Sequence, residues 1–258
     1  MIDAYLDRIG LAREGLDPLD GAGVRRIAAA HAASVPFENT RAHRGERISV
    51  RIDDVLERLV ERREGGVCYE LNGGLAWLLE QLGAKVRLLA AQVLVGSESS
   101  TATSAGLPMS HMALVVELPG EDPQLLDVGF GGDTIVRAEP VDGETVVTSR
   151  GTSYRVDARP RELADFEGVA WWHSTSPGSR FMRGVIVSST RAHGIATLSG
   201  RDEGELRWRF RGELDAEARD IEYVQAQAIA AEVFGLSAPL PRRVLRYGPL
   251  APVTARGR

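Results

Sequence analysis

The chain has 258 residues, 43% hydrophobic and 26% charged, which is enough apolar sequence for the core of an ordinary soluble globular protein. A formal net charge of −5 excludes bulk attraction to nucleic acid. One cysteine, Cys68, excludes an intramolecular disulfide and any multi-thiolate metal site, so no metal is expected.

The opening stretch "MIDAYLDRIGL" places acids where a secretory signal needs a basic segment followed by an apolar one. No apolar run reaches the roughly 18 residues of a membrane helix. A cytoplasmic protein with no membrane partner is expected, in which a lone thiol stays reduced. The first 83 residues read helical. "DGAGVRRIAAAHAAS" carries apolar residues at helical spacing and stops before Pro36. "DDVLERLVERRE" has acids in its first turn and arginines in its last, as the helix dipole prefers. "ELNGGLAWLLEQLGA" sets Leu71, Leu75, Leu78, Leu79 and Leu82 on one stripe and ends at Gly83.

From about residue 84 the apolar period becomes two, or the apolar residues fall in short runs. The strands expected are "KVRLLAAQVLV", "SHMALVVEL", "QLLDVGF", "ETVVTS", "TSYRVD", "RGVIVSS" and "GIATLSG". In "ELRWRFRGEL", Leu206, Trp208 and Phe210 alternate with arginines, the pattern of a half-buried strand. "SESSTATSAGLP" (97–108) reads as a polar loop able to cover a site. A last helix is expected over "ARDIEYVQAQAIAAEVFG", ahead of a tail from Arg242 to Arg258 that has arginines and no acid.

Cys68 follows Gly65 and Gly66, which suit a tight turn, and falls near the first turn of the helix bearing the leucine stripe. Backbone N–H groups and the dipole at that place favour a thiolate and suit an oxyanion hole. A nucleophilic thiol needs a base and a group to orient the base. Of the five histidines, His31 lies in an Ala-rich helix, His43 in an Arg-rich loop, His173 in "WWHSTSP" and His193 in a turn. His111 opens an apolar strand, where site residues usually stand. Asp127 interrupts the apolar run "QLLDVGFGG", so it must be paired there. If Leu118 pairs with Gln124 across "PGEDP", His111 and Asp127 share a face but stand four residues out of register, roughly 13 Å apart. Contact then requires a bend or bulge, which Gly129, Gly131 and Gly132 permit, or another pairing.

Together these residues resemble the arylamine N-acetyltransferase family. The matching stretches are "VPFENT" (35–40), "GGVCYELNG" (65–73), "SHMALVV" (110–116) and "LLDVGFGG" (125–132), with a weaker match in "STSPGSRF" (174–181). The resemblance implies an α+β fold: a helical bundle carrying the nucleophile (1–84), an antiparallel β-barrel carrying His and Asp (85–185), and an α/β lid with a basic tail (186–258). It implies a Cys68–His111–Asp127 triad and ping-pong acyl transfer, with acetyl-CoA or another acyl thioester as co-substrate and no permanently bound cofactor. The acceptor implied is a small arylamine or hydrazine. Phe130 and Gly131 would line the acyl and acceptor pocket, and Phe37 would pack close to the nucleophile. One position departs from the pattern: Glu64 stands where the family usually has arginine before Gly-Gly. Arg62, Arg63 or Arg41 is then expected to pair with Glu38 in its place.

Three other readings share these residues. Some members of the family resemble amide synthases, which take a polyketide chain from a carrier-protein thioester and close it onto an aryl amine. A papain-like or transglutaminase-like thiol hydrolase would admit water to the acyl-enzyme, and "VPFEN" and "DVGFGG" argue against it. A binding module that has lost activity would leave Cys68 unreactive.

Overall fold

The helix that starts at Cys68 sits at the centre of the molecule. This helix, α4 (Cys68–Gln81), buries Leu71, Leu75, Leu78 and Leu79 completely, while Leu82 at its C-cap is half-buried. At about 1.5–3 kcal/mol for each fully buried leucine, that stripe is a main anchor of the fold. The computed structural model describes residues 1–17, 19–95, 104–131, 133–137, 144–149, 152–201, 205–212 and 215–242. Most of the polar loop after Val95 and the basic tail from residue 243 lie outside these residues.

Three helices surround the first half of α4: α1 (Ile2–Arg8), α2 (Gly21–Ser34) and α3 (Ile52–Leu56), the last continued as a π-helical turn through Glu61. Asp20 caps α2 by accepting from the Gly23 amide at 2.7 Å, which satisfies one of the free N–H groups of a helix start. Among the described residues, no helix is long and apolar enough to cross a membrane.

Against the other side of α4 lies an antiparallel sheet. Its strands are β2 (Lys85–Val95), β3 (Ser104–Ala105), β4 (His111–Glu117), β5 (Gln124–Phe130), β6 (Asp133–Arg137), β7 (Glu144–Ser149) and β8 (Thr152–Arg161). They pair in the order β6-β5-β4-β2-β8-β7, with β3 on β2, and the sheet curls into a half-barrel. Both β4 and β5 are buried along nearly their whole length, because α4 covers one face and the inner side of the curl covers the other.

A second sheet joins β1 (Phe37–Glu38) to β9 (Val185–Arg191), β10 (Gly194–Gly200), β11 (Leu206–Gly212) and β12 (Ala216–Asp220) in that order. In the chain α5 (Glu167–Thr175) connects the two sheets, and α6 (Tyr223–Glu232) packs on β11. The helix expected from Ala218 begins five residues later. Residues 216–220 hydrogen-bond to β11 as an exposed edge strand, and Glu222 then starts α6, its amide bonded to Gln225 at 3.0 Å. Strands β1, β6 and β12 carry too few apolar residues to stand out in the sequence.

A buried ionic network ties the loop after β1 to the first turn of α4. Arg41, 1% exposed, pairs with the fully buried Glu70, whose carboxylate also accepts from the amides of Val67 and Ser49 at 3.1 and 3.3 Å. Burial pulls the Arg41 guanidinium below its usual range, and the charge of Glu70 is the main force holding it charged. Replacing Arg41 by methionine leaves Glu70 with Arg58 at 3.7 Å as its remaining cation. Chemical denaturation should show a loss of about 3 kcal/mol, the scale for breaking one side of a buried pair.

Candidate active site

Cys68 is the first residue of α4 and is 2% exposed. The Gly-Gly before it does not make the expected turn. Gly66 lies as a parallel bridge beside Phe37, with the Glu38 amide donating to its carbonyl at 2.9 Å. A Cβ on Gly65 would stand 2.2 Å from the Pro36 carbonyl, so glycine is required there for close approach of two backbones. The left-handed residue comes earlier, just after the π-helical turn, at Arg63 with a φ of 53°.

Strands β4 and β5 bring the histidine and the aspartate together. Their register pairs Leu114 with Leu126 and Val116 with Gln124, two residues away from the pairing expected of a hairpin closed at Leu118. Extended along the strands, it sets Ala113 opposite Asp127 and makes His111 a diagonal neighbour of Asp127 on the same face. A bulge does the rest. Pairing of β5 with β6 slips between Asp127 and Phe130, and the extra residue re-aims the strand beside α4. His111 Nε2 lies 2.6 Å from Asp127 Oδ2.

Asp127 is fully buried, and its other oxygen is also held. Oδ1 accepts from Asn72 Nδ2 at 2.9 Å and from the Gly129 amide at 2.8 Å. Asn72 in turn donates to the Met112 carbonyl at 2.7 Å and accepts from the Val128 amide at 3.0 Å, binding α4 to both strands. Sequence reasoning passed over Asn72. Its signal was its position four residues after Cys68, one helical turn along the same face.

Cys68 and His111 stand together at the cavity wall, and the sulfur is one of the groups that raise the imidazole. With Nε2 taken by Asp127, Nδ1 is the ring nitrogen left to face sulfur. Burial works against charge on this imidazole, but the charge of Asp127, then that of Cys68, then hydrogen bonds to both push it up to about 10. The ring packs against those of Tyr154 and Phe130, at 4.8 and 5.1 Å between centroids. Tyr69, beside Cys68, is pushed up by burial and then by the sulfur's charge, and its hydroxyl donates to the Met109 carbonyl at 3.0 Å.

Cys68 and His111 open into a cavity of about 460 Å³. Phe37, Phe130 and Gly131 line it, whereas Asp127 sits behind His111 and is not part of its wall. His173 and Trp172 of α5 also face it, two positions that the sequence left as unremarkable. Burial, then the cation Arg180, drive His173 down to about 4, so it is a neutral ring at pH 7. It packs between Tyr69 and Phe181. His31, bonded to the Tyr5 hydroxyl, and His43, against the Gly184 carbonyl, lie outside the cavity wall.

Glu64 does not disturb this arrangement. Its carboxylate is paired with Arg58 at 2.7 Å and with Arg62 at 2.7 Å. The expected substitute pairing with Glu38 does not form. Arg62 goes to Glu64, Arg63 to Asp7 and Arg41 to Glu70. Glu38 instead accepts from the Thr40 amide and hydroxyl at 2.7 and 2.6 Å, and Arg41 reaches it only through its field.

Comparison with known proteins bears on the family and the fold. A family model described as N-acetyltransferase matches residues 22–157 and 144–240. An arylamine N-acetyltransferase of Mycolicibacterium smegmatis is 33% identical over 78% of this chain and 80% of its own length. One from Mycobacterium tuberculosis is 31% identical over 78% of each. Among solved structures, the M. smegmatis arylamine N-acetyltransferase superimposes with a TM-score of 0.78 at 28% identity over 92% of both chains. The Mycobacterium marinum enzyme in complex with CoA gives 0.75 at 26% identity, covering 91% of this chain and 92% of its own. A matched family model that spans most of the sequence, relatives above 30% identity and a shared fold place this chain in the arylamine N-acetyltransferase family.

Proposed function

We propose that this acetyltransferase-family chain moves an acetyl group from acetyl-CoA to an arylamine or hydrazine through a thioester on Cys68. The observation that carries the reading is that Cys68 and His111 open side by side into the cavity, with Asp127 held 2.6 Å from His111 Nε2 behind the wall. Sγ, as thiolate, attacks the thioester carbonyl, and the bond between that carbon and the CoA sulfur breaks. CoA leaves as a thiol with the proton from His111 Nδ1, and the acetyl group stays on Cys68.

Acylation removes the negative charge on sulfur, which was one of the forces holding His111 protonated. The neutral ring is then the base for the second step. The amine nitrogen attacks the acetyl carbon, its proton passes to Nδ1, and the C–S bond to Cys68 breaks to restore the ion pair. An arylamine is neutral at pH 7, so its lone pair is free to attack. Asp127 holds the ring in one orientation throughout and balances its positive charge. The relative in complex with CoA supports the donor. A cavity of about 460 Å³ suits a small acceptor, and no observation favours the polyketide amide synthase.

Alkylation tests the pair without any substrate. Iodoacetamide at pH 7 should label Cys68 about tenfold faster in the native chain than in His111→Gln, because the glutamine cannot take the thiol proton as the imidazole does. Equal rates in the two proteins would refute the ion pair and favour an inert binding module.

A further inference from the structure

Just ahead of His111 the chain makes a tight turn. The Ser110 amide donates to the Leu107 carbonyl at 3.2 Å, which closes Leu107, Pro108, Met109 and Ser110 into four residues of a β-turn. Proline stands second, where its fixed φ suits a turn. Met109 stands third with a φ of 57°, one of two non-glycine residues in the left-handed region among the described residues. Glycine is the usual residue there, and a β-carbon disfavours that conformation about tenfold. This turn is also the mount of the base. Strand β4 pairs with β5 from Leu114 onward, so the His111 backbone stands beyond that ladder, held through Ala91 of β2 and through the turn. Gly106, Leu107 and Ser110 carry the turn along the cavity wall.

Two attachments hold Met109 in place. Its side chain packs against the core that α4 anchors, and its carbonyl accepts from the Tyr69 hydroxyl at 3.0 Å. Tyr69 directly follows Cys68 in the first turn of α4 and is fully buried. Its ring lies against Phe166 and His173, at 5.4 and 6.1 Å between centroids, so packing aims the hydroxyl at a carbonyl two residues before His111. We propose that Tyr69 is a positioning residue, whose hydroxyl clamps Met109 in the left-handed turn and so fixes the place of His111 against Cys68. Asp127 orients the imidazole from behind, and Tyr69 sets the backbone from which that imidazole projects. Tyr69 is not part of the cavity wall, so it acts through the turn and touches no substrate.

The inference rests on the acyl-transfer reading, in which the base must meet the sulfur, and iodoacetamide labelling of Cys68 at pH 7 tests it without turnover. Tyr69→Phe keeps the ring and removes the hydroxyl. It should label about fivefold more slowly than the native chain, the worth of one hydrogen bond in the population of the turn. Glycine takes a positive φ freely, so Tyr69→Phe/Met109→Gly should return to within about twofold of the native rate, and Met109→Gly alone should match it. A role in stability alone predicts the reverse, because the double variant has lost a packed side chain as well as a hydroxyl. Native labelling in Tyr69→Phe overturns the proposal. So does a double variant no faster than Tyr69→Phe, or a Met109→Gly chain that gains the same factor by itself. The His111→Gln chain separates this failure from that of the wider reading. If it labels as fast as the native protein, the acyl-transfer reading falls; if it labels slowly while Tyr69→Phe does not, the role of Tyr69 alone falls.

Discussion

Asp127→Asn should lower kcat/KM for acetyl transfer about 10³–10⁴-fold with little change in shape. Two donors, Asn72 Nδ2 and the Gly129 amide, fix Oδ1 of this residue as an acceptor. An asparagine satisfies them only by turning its NH₂ group toward His111. Nε2 must then accept, the ring proton moves to Nδ1, and Nδ1 can no longer take a proton from the amine. The variant also removes the largest influence that keeps the imidazole charged, so His111 falls from about 10. Steady-state kinetics with acetyl-CoA and an arylamine measure the first effect, and alkylation of Cys68 as a function of pH measures the second. Native-like kinetics in this variant would remove Asp127 from the mechanism. The same ion pair links stability to pH. The folded value of about 10 lies above the ordinary 6.5, so this contribution is complete below pH 6.5 and is lost as pH rises through about 10.

Gly129→Ala should combine a stability loss of about 1–3 kcal/mol with a fall of about 10²-fold in the acylation rate. An added Cβ would stand 2.7 Å from the Cys68 Cα, 3.0 Å from its Cβ and 2.9 Å from Asn72 Nδ2. Backbone atoms cannot swing aside, so α4 and β5 must part at the point where sulfur meets the ring. Gly131 is the informative control. Its φ of 68° strains an alanine, yet nothing stands within 4 Å of the added carbon. Gly131→Ala should therefore cost about 1 kcal/mol and leave the alkylation rate of Cys68 near native. Denaturation and alkylation on the two variants separate backbone strain from crowding of the nucleophile.

Much of this was legible before any coordinates. The leucine stripe of α4 and the strands from Lys85 to Val95 and from Gln124 to Phe130 follow from period alone, because each buries a face that polar residues would spoil. Cys68 at a helix start and Asp127 in an apolar run were visible as anomalies. Spacing did not reveal how His111 and Asp127 meet. A pairing two residues away and a bulge between Asp127 and Phe130 lie where α4 packs on β5, a tertiary contact that no local pattern encodes. For the same reason Gly65 and Gly66 read as a turn but serve as a backbone-on-backbone contact with β1. The alternation in "RWRFR" read as a half-buried strand and no more, because alternation reports which face a residue occupies and says nothing of what lies across from it.

Intact-protein mass spectrometry after mixing with acetyl-CoA, with no acceptor present, tests the central claim most directly. The native chain should gain about 42 Da, one acetyl in place of one hydrogen, on the peptide that holds Cys68. An arylamine added afterwards should discharge it, and Cys68→Ala should never acquire it. A native chain that stays at its starting mass, or an adduct that survives in Cys68→Ala, would contradict the account.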